Sequence, residues 1–151
     1  MNPTTLTLSR LSRYKEYGPI FLRLLVGVRL IYGTQDNVFS GARMEEFIHF
    51  LGQFGFPFPE VCAWLSVYAQ FIGGILILLG AFIRPAALVM ILNFLVAIFM
   101  VHLPAGDDFL NTYQALTMLF TSFYFLLSGA GKLSVDEWLE RRATPERRLA
   151  V

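Results

Sequence analysis

PEVCAWLSVYAQFIGGILILLGAF at residues 59–82 and AALVMILNFLVAIFMVH at residues 86–102 decide the fold. The first run holds one charged side chain, Glu60, and the second holds none. Only Ile83, Arg84 and Pro85 part them. A helix needs roughly 20 apolar residues to cross a bilayer core. Two more runs of that class, 19–35 and 109–128, flank the pair, so the reading is four spans. Composition agrees: 56% of the 151 residues are hydrophobic and 15% charged, against roughly a quarter charged in a typical soluble domain. So few charges cannot cover the apolar surface of a soluble domain of this size. The fold class is all-α: an integral membrane four-helix bundle with a short extracytoplasmic amphipathic helix between spans one and two. An N-terminal arm at 1–17, a four-span domain at 18–131 and a tail with a short helix at 132–151 divide the chain.

Charge sorting sets the orientation, because loops rich in Lys and Arg stay cytoplasmic. Arg10, Arg13 and Lys15 in the arm, Arg84 between spans two and three, and Lys132, Arg141, Arg142, Arg147 and Arg148 in the tail fall on one side of a four-span chain. The other side has Arg43 against Asp36, Glu45, Glu46, Glu60, Asp107 and Asp108. Both termini are expected in the cytoplasm, with the protein multi-pass in its membrane. The first span carries Arg23 and Arg29 and lacks a small-residue cleavage site after it, so it reads as retained rather than as a signal peptide. A net charge of +1 argues against nucleic acid as a partner. Lone Cys62 offers no internal disulfide and no CxxC relay, and reads as a small packing residue.

Residues 43–54 are not a span. Met44, Phe47, Ile48, Leu51 and Phe54 recur at helical spacing, with Glu45, Glu46, His49 and Gln53 elsewhere. They read as an amphipathic helix on the outer surface or over the bundle mouth. Gly55-Phe56-Pro57-Phe58-Pro59 turns the chain, and Pro59 suits the first turn of span two. Gly129-Ala130-Gly131 stops span four. Ser134 and Glu137 have capping-box spacing, which predicts a tail helix over 135–142. Residues 144–151 are expected to fray. Trp64 and Trp138 fit an interfacial aromatic belt.

Charges and amides inside spans are where function is sought, since a charge in hydrocarbon costs at least about 2.5 kcal/mol. Arg23, near the cytoplasmic end of span one, can snorkel to lipid phosphates. Arg29 sits near mid-span, and is expected to face the bundle interior or a water-filled cavity. Asp36 follows on nearly the same face about 10 Å higher, a marginal distance for a direct pair. Gln70 and Asn93 lie near the middles of spans two and three, as ligand-binding amides or as interhelical glue. Gly27, Gly33, Gly73, Gly74 and Gly80 let helix backbones approach. A second polar group gathers at the outer ends: Tyr32, Gln35 and Asp36, then His102, then Tyr113 and Gln114. His102 with only His49 elsewhere is a poor metal set, so no metal or haem is expected. Histidine side chains suit proton carriage beside a quinone ring because they titrate near neutrality.

The chain resembles the DoxX family of small four-span bacterial membrane proteins. Gly129-Ala130-Gly131-Lys132-Leu133-Ser134-Val135-Asp136 is similar to the family's GxGxxSxD close. Arg23, Gly27 and Gly33 match its first span, and Gly55-Phe56-Pro57 with Gln70-Phe71-Ile72-Gly73-Gly74 and Gly80 its second. His102 before a short acidic loop falls where the family often has a histidine. The resemblance covers roughly residues 18–136. Where the family often has a lysine at the end of span one, this chain has Asp36 or Asn37. Where it often has glutamates, this chain has Gln70 and, approximately, Gln114. Amides keep hydrogen bonding but cannot titrate, which puts in doubt any family mechanism that needs a buried glutamate to carry a proton.

Family members include the membrane subunit of a thiosulfate:quinone oxidoreductase, so the resemblance implies a membrane subunit of a redox complex. It would bind quinone or a similar lipophile and take electrons from a partner protein. Arg29, Gln70 and His102 are the expected ring contacts, with Asn93, Gln114, Asp36 and Tyr32 as further ligand-binding candidates. No catalytic residue is assigned. Two other readings stand beside it: a non-catalytic assembly subunit of a larger membrane complex, and a small transporter or channel. The last is the weakest, because no broken helix pair is visible.

Overall fold

The computed structural model describes residues 8–143, and the expectations for Arg147, Arg148 and the rest of 144–151 lie outside them. Among the described residues every element is helical. A 3-10 segment, Ser9–Tyr17, leads into α1 (Gly18–Phe39), α2 (Gly41–Gln53) and α3 (Pro59–Leu79). Helix α4 starts at Ile83, passes through a wider π turn at Ile98–His102 and ends at Ala105. Then come α5 (Phe109–Ser128) and α6 (Val135–Ala143). The expected spans coincide with α1, α3, α4 and α5, each a few residues longer or shorter except α5. Of these, α3 and α4 are each long and apolar enough to cross a membrane. Helices α1 and α5 are of similar length but carry more polar side chains, including Arg23, Arg29 and Asp36 on α1.

Each long helix buries one stripe. On α1 it is Arg23, Val26, Gly27, Leu30 and Thr34, spaced three and four apart, as expected of a helix with one inward face. Helix α1 crosses α3 closely, because the crossing is made of glycines. A Cβ on Gly27 would fall 2.8 Å from Leu78 Cβ, and one on Gly74 would fall 2.9 Å from Leu30 Cβ. Small residues permit this backbone approach where lipid supplies no hydrophobic drive between helices. Outward faces are apolar instead: Phe21, Leu25, Leu65, Leu92, Phe120 and Leu127 are all exposed. In water that surface would far exceed the few hundred Å² of apolar patch tolerated on a soluble monomer, whereas lipid covers it at no such cost.

Helix α2 is the amphipathic helix expected from the sequence. It buries Met44 and Leu51 and half-buries Phe47 and Ile48 against Phe56, Ala63 and Val67. It thereby covers one end of the α1–α3 pair. Gly55 (φ 70°) and Phe58 (φ 52°) make the turn beneath it, and Pro59 opens α3.

At the opposite end the structure corrects the reading of Arg23. Its guanidinium does not reach for lipid phosphates; the residue is 3% exposed. Nε donates to Ile77 O at 3.1 Å and Nη2 to Leu78 O at 3.0 Å. Nη1 donates to Ala130 O at 3.3 Å and Leu133 O at 3.2 Å. One planar fork thus ties α1 to the last turn of α3 and to the segment between α5 and α6. Of the accepting carbonyls, Leu78 O lies in the last turn of α3, where carbonyls lack intrahelical donors, Ile77 O also accepts from Gly80 N at 3.1 Å, and Ala130 O and Leu133 O belong to the connection between α5 and α6. Gly80 (φ 65°) gives the space, since a Cβ there would lie 2.6 Å from both Arg23 Cζ and Ser134 Cβ.

The Gly129–Asp136 stretch closes the same end. Asp136 accepts from the backbone N–H of Phe82 at 2.7 Å and of Ile83 at 2.9 Å, so it caps α4 from a distance in sequence. Its own N–H donates to Gly80 O at 3.0 Å. Ser134 Oγ accepts from Glu137 N, the first half of the expected capping box, whereas the Glu137 carboxylate accepts from Leu133 N, one residue before the cap. Lys132 N donates to Glu16 O at 2.8 Å, and the two side chains pair at 3.3 Å. The described parts of the N-terminal arm and the tail therefore meet at one end.

Replacing Arg23 removes four hydrogen bonds made by a charged donor, each worth about 1.5–3 kcal/mol when lost singly. Arg23→Gln should lower the unfolding free energy in mixed detergent micelles by at least about 3 kcal/mol. Arg23→Lys should recover little of it, because one ammonium cannot reproduce the fork. Arg29→Gln should change it by less than about 0.5 kcal/mol. Equal sensitivity of the two positions would contradict the assignment of Arg23 as the structural arginine.

Candidate functional site: a cavity between two apolar helices

Helices α3 and α4 diverge on one side, and a cavity of about 550 Å³ lies between them. On α3, Cys62, Ser66 and Gln70 follow at intervals of four and so share one face. On α4, Val89, Asn93 and Ala97 do the same across the gap, and Phe47, Phe50 and Leu51 of α2 close the end at His102. Its floor is a short polar chain in apolar walls. Gln70 Nε2 donates to Ser66 Oγ at 3.1 Å, and Ser66 Oγ donates to Asn93 Oδ1 at 2.8 Å. This direction uses the Asn93 carbonyl oxygen as acceptor and leaves its amide N–H groups for something else.

His102 lines the other end of the same cavity. Its Nδ1 lies 2.7 Å from Asp107 Oδ2, with both side chains about a quarter exposed. That contact orients the ring, with Nδ1 toward the carboxylate and Nε2 away from it. The turn is also closed by Asp107 N donating to His102 O at 3.1 Å. The π turn has a local cause. Pro104 lacks an N–H, and its ring would clash with the carbonyl four residues back in a regular helix. The chain widens instead, with Leu103 N reaching Ile98 O. Such widened turns recur at functional sites.

The structure brings together Gln70, Asn93 and His102 among the residues singled out from sequence. It does not bring Arg29, Tyr32, Asp36 or Gln114 to this cavity. Arg29 is half-buried and lies along its own helix over Gly33, where a Cβ would strike the guanidinium. Asp36 accepts from the adjacent Asn37 N at 3.1 Å rather than pairing with Arg29. Tyr32 and Gln114 are exposed. Outside the long helices, Glu46 accepts from Arg43 at 2.8 Å on the exposed face of α2, and that bond holds the Arg43 guanidinium above its ordinary value.

Three contributors were not singled out. Ser66 links the two amides, and its position four residues before Gln70 was the available signal. Asp107 reads in the sequence only as an acidic loop residue. Cys62 lines the cavity and donates to Pro57 O at 3.1 Å, which fixes the turn below α2.

The DoxX family model matches residues 18–103. The chain belongs to the DoxX family. No curated protein and no solved structure matches it. The match contains α1 to α4 almost whole, and therefore the cavity, its polar floor and His102. The Gly129–Asp136 stretch lies beyond the matched residues. In this DoxX protein that stretch is occupied with capping and with the Arg23 carbonyl contacts, so its glycines and Asp136 are structural.

The polar floor contributes little to folding. Interhelical hydrogen bonds in membranes average about 0.6 kcal/mol. Asn93→Leu is expected to cost less than about 1 kcal/mol in a detergent unfolding titration, leaving the variant usable for binding work. A loss of several kcal/mol would instead make Asn93 a structural strut.

Proposed function

We propose that this DoxX protein is the membrane subunit of a redox complex, and that it holds a quinone or a similar lipophile between α3 and α4. The observation that carries this is the cavity's composition: long apolar walls around one neutral hydrogen-bonding chain. Quinone carbonyls are acceptors, and the Asn93 amide offers unused donors. A histidine whose ring is oriented by Asp107 suits proton exchange at the far end. Electrons would come from a partner protein, since Cys62 is the one thiol in the sequence. In this reading α1 and α5 also span the bilayer of a bacterial inner membrane, with both termini cytoplasmic. Sorting of charge supports that orientation. Arg84, Lys132 and Arg141 gather at the Arg23 end, whereas Glu45, Glu60 and Asp107 gather at the His102 end.

The alternative is a non-catalytic assembly subunit. It draws on α6, which buries none of its residues and exposes Trp138 and Leu139, as a docking helix would. Lipid extraction separates the two. Protein purified alone should carry quinone at close to one per chain, and Asn93→Leu should reduce quinone turnover in the intact complex by at least tenfold. Quinone-free protein, with Asn93→Leu fully active in the complex, would favour the assembly reading.

A further inference from the structure

We infer that the cavity takes an uncharged, single-headed lipophile that slides in sideways from the bilayer, with its head on the Asn93 amide and its tail leaving between Leu65 and Leu92. This deepens the reading above and rests on the cavity lying within the membrane.

Its mouth is the first ground. Leu65 on α3 is 71% exposed and Leu92 on α4 is 59% exposed, yet both line the cavity. A cavity whose walls are also outward-facing side chains opens on the flank of the helix pair. The end near His102 is instead covered by aromatic side chains of α2. Access is therefore from the apolar surface, where only a molecule already dissolved in lipid arrives.

Charge is the second ground. Among the described residues, no Lys, Arg, Asp or Glu lines the cavity. A phosphate head would lose its hydration there without a counter-ion, and an amine would find no carboxylate. The lining therefore rejects charged phospholipids, although they surround the mouth in large excess.

Hydrogen-bond direction is the third. Because the chain from Gln70 through Ser66 ends on Asn93 Oδ1, the Asn93 amide presents donors. The matching head atom is an acceptor oxygen such as a carbonyl. Asn93 and His102 are nine residues apart, about 13 Å along a helix. One compact head thus contacts Asn93 or His102 but not both. The polar chain beside Asn93, near the exposed Leu92, makes Asn93 the site for the head.

The test uses the full chain in phosphatidylcholine nanodiscs and four probes: a long-tailed isoprenoid quinone, an isoprenoid alcohol of equal tail, a tail-less quinone and phosphatidylglycerol. Tailed compounds should bind, and phosphatidylglycerol at equal concentration should not displace them. Asn93→Leu should weaken their binding at least tenfold. Leu65→Trp/Leu92→Trp should weaken the tailed quinone at least tenfold and the tail-less one less than about twofold. Should the tryptophans prevent folding, Leu65→Ala/Leu92→Ala widens the mouth and should speed dissociation at least threefold. Unchanged binding or dissociation in these variants, displacement by phosphatidylglycerol, or failure of both tailed compounds to bind overturns the inference. Binding of the alcohol but not the quinone upholds it and overturns the quinone reading instead.

Discussion

One guanidinium organises the end of this protein where three chain segments meet. Arg23 donates to four backbone carbonyls, two at the end of α3 and two between α5 and α6. A charge buried without an ion partner is costly unless every donor is met. Here four backbone carbonyls meet that need, and one of them, Leu78 O, lies in the last turn of α3, where carbonyls lack intrahelical donors. The arginine is satisfied by backbone alone, and in return it ties three segments together. Gly80 admits the fork, and Asp136 secures the neighbouring start of α4.

With that end locked, the two apolar helices are free to part elsewhere. Helix α1 fits closely on α3 through Gly27 and Gly74. On its other side α3 packs on α4 at Gly73 and Met90 and parts from it around a cavity nearer the His102 end. The protein is thus tight where glycines and Arg23 draw backbones together, and open where Ser66, Gln70 and Asn93 hold a gap with a weak polar chain. Ligand sites are commonly built between helices of a bundle in this way, with apolar walls and a few placed polar groups.

Much of the architecture was legible in the sequence. Apolar runs marked the long helices, a 3–4 periodicity marked α2, and Ser134 with Glu137 marked the start of α6. The cavity was legible in part, since amides at mid-helix are rare enough in apolar runs to notice Gln70 and Asn93. What decided the rest leaves no trace in side-chain pattern. Arg23 is satisfied by backbone carbonyls, which every residue has, so its partners at Ile77, Leu78, Ala130 and Leu133 could not be read off. Arg29 drew attention by its depth, but its side chain lies along its own helix. The widened turn before Pro104 depends on how the helix absorbs a missing N–H. The pairing of His102 with Asp107 depends in turn on the geometry of that end.

The most direct measurement is a density map of the protein extracted in native lipid, inspected beside Asn93. The account predicts one elongated feature, compact against the Asn93 amide and trailing outward between Leu65 and Leu92. Helices α3 and α4 closed on each other with no space between them, or a phosphate-bearing head seated at Asn93, would contradict it.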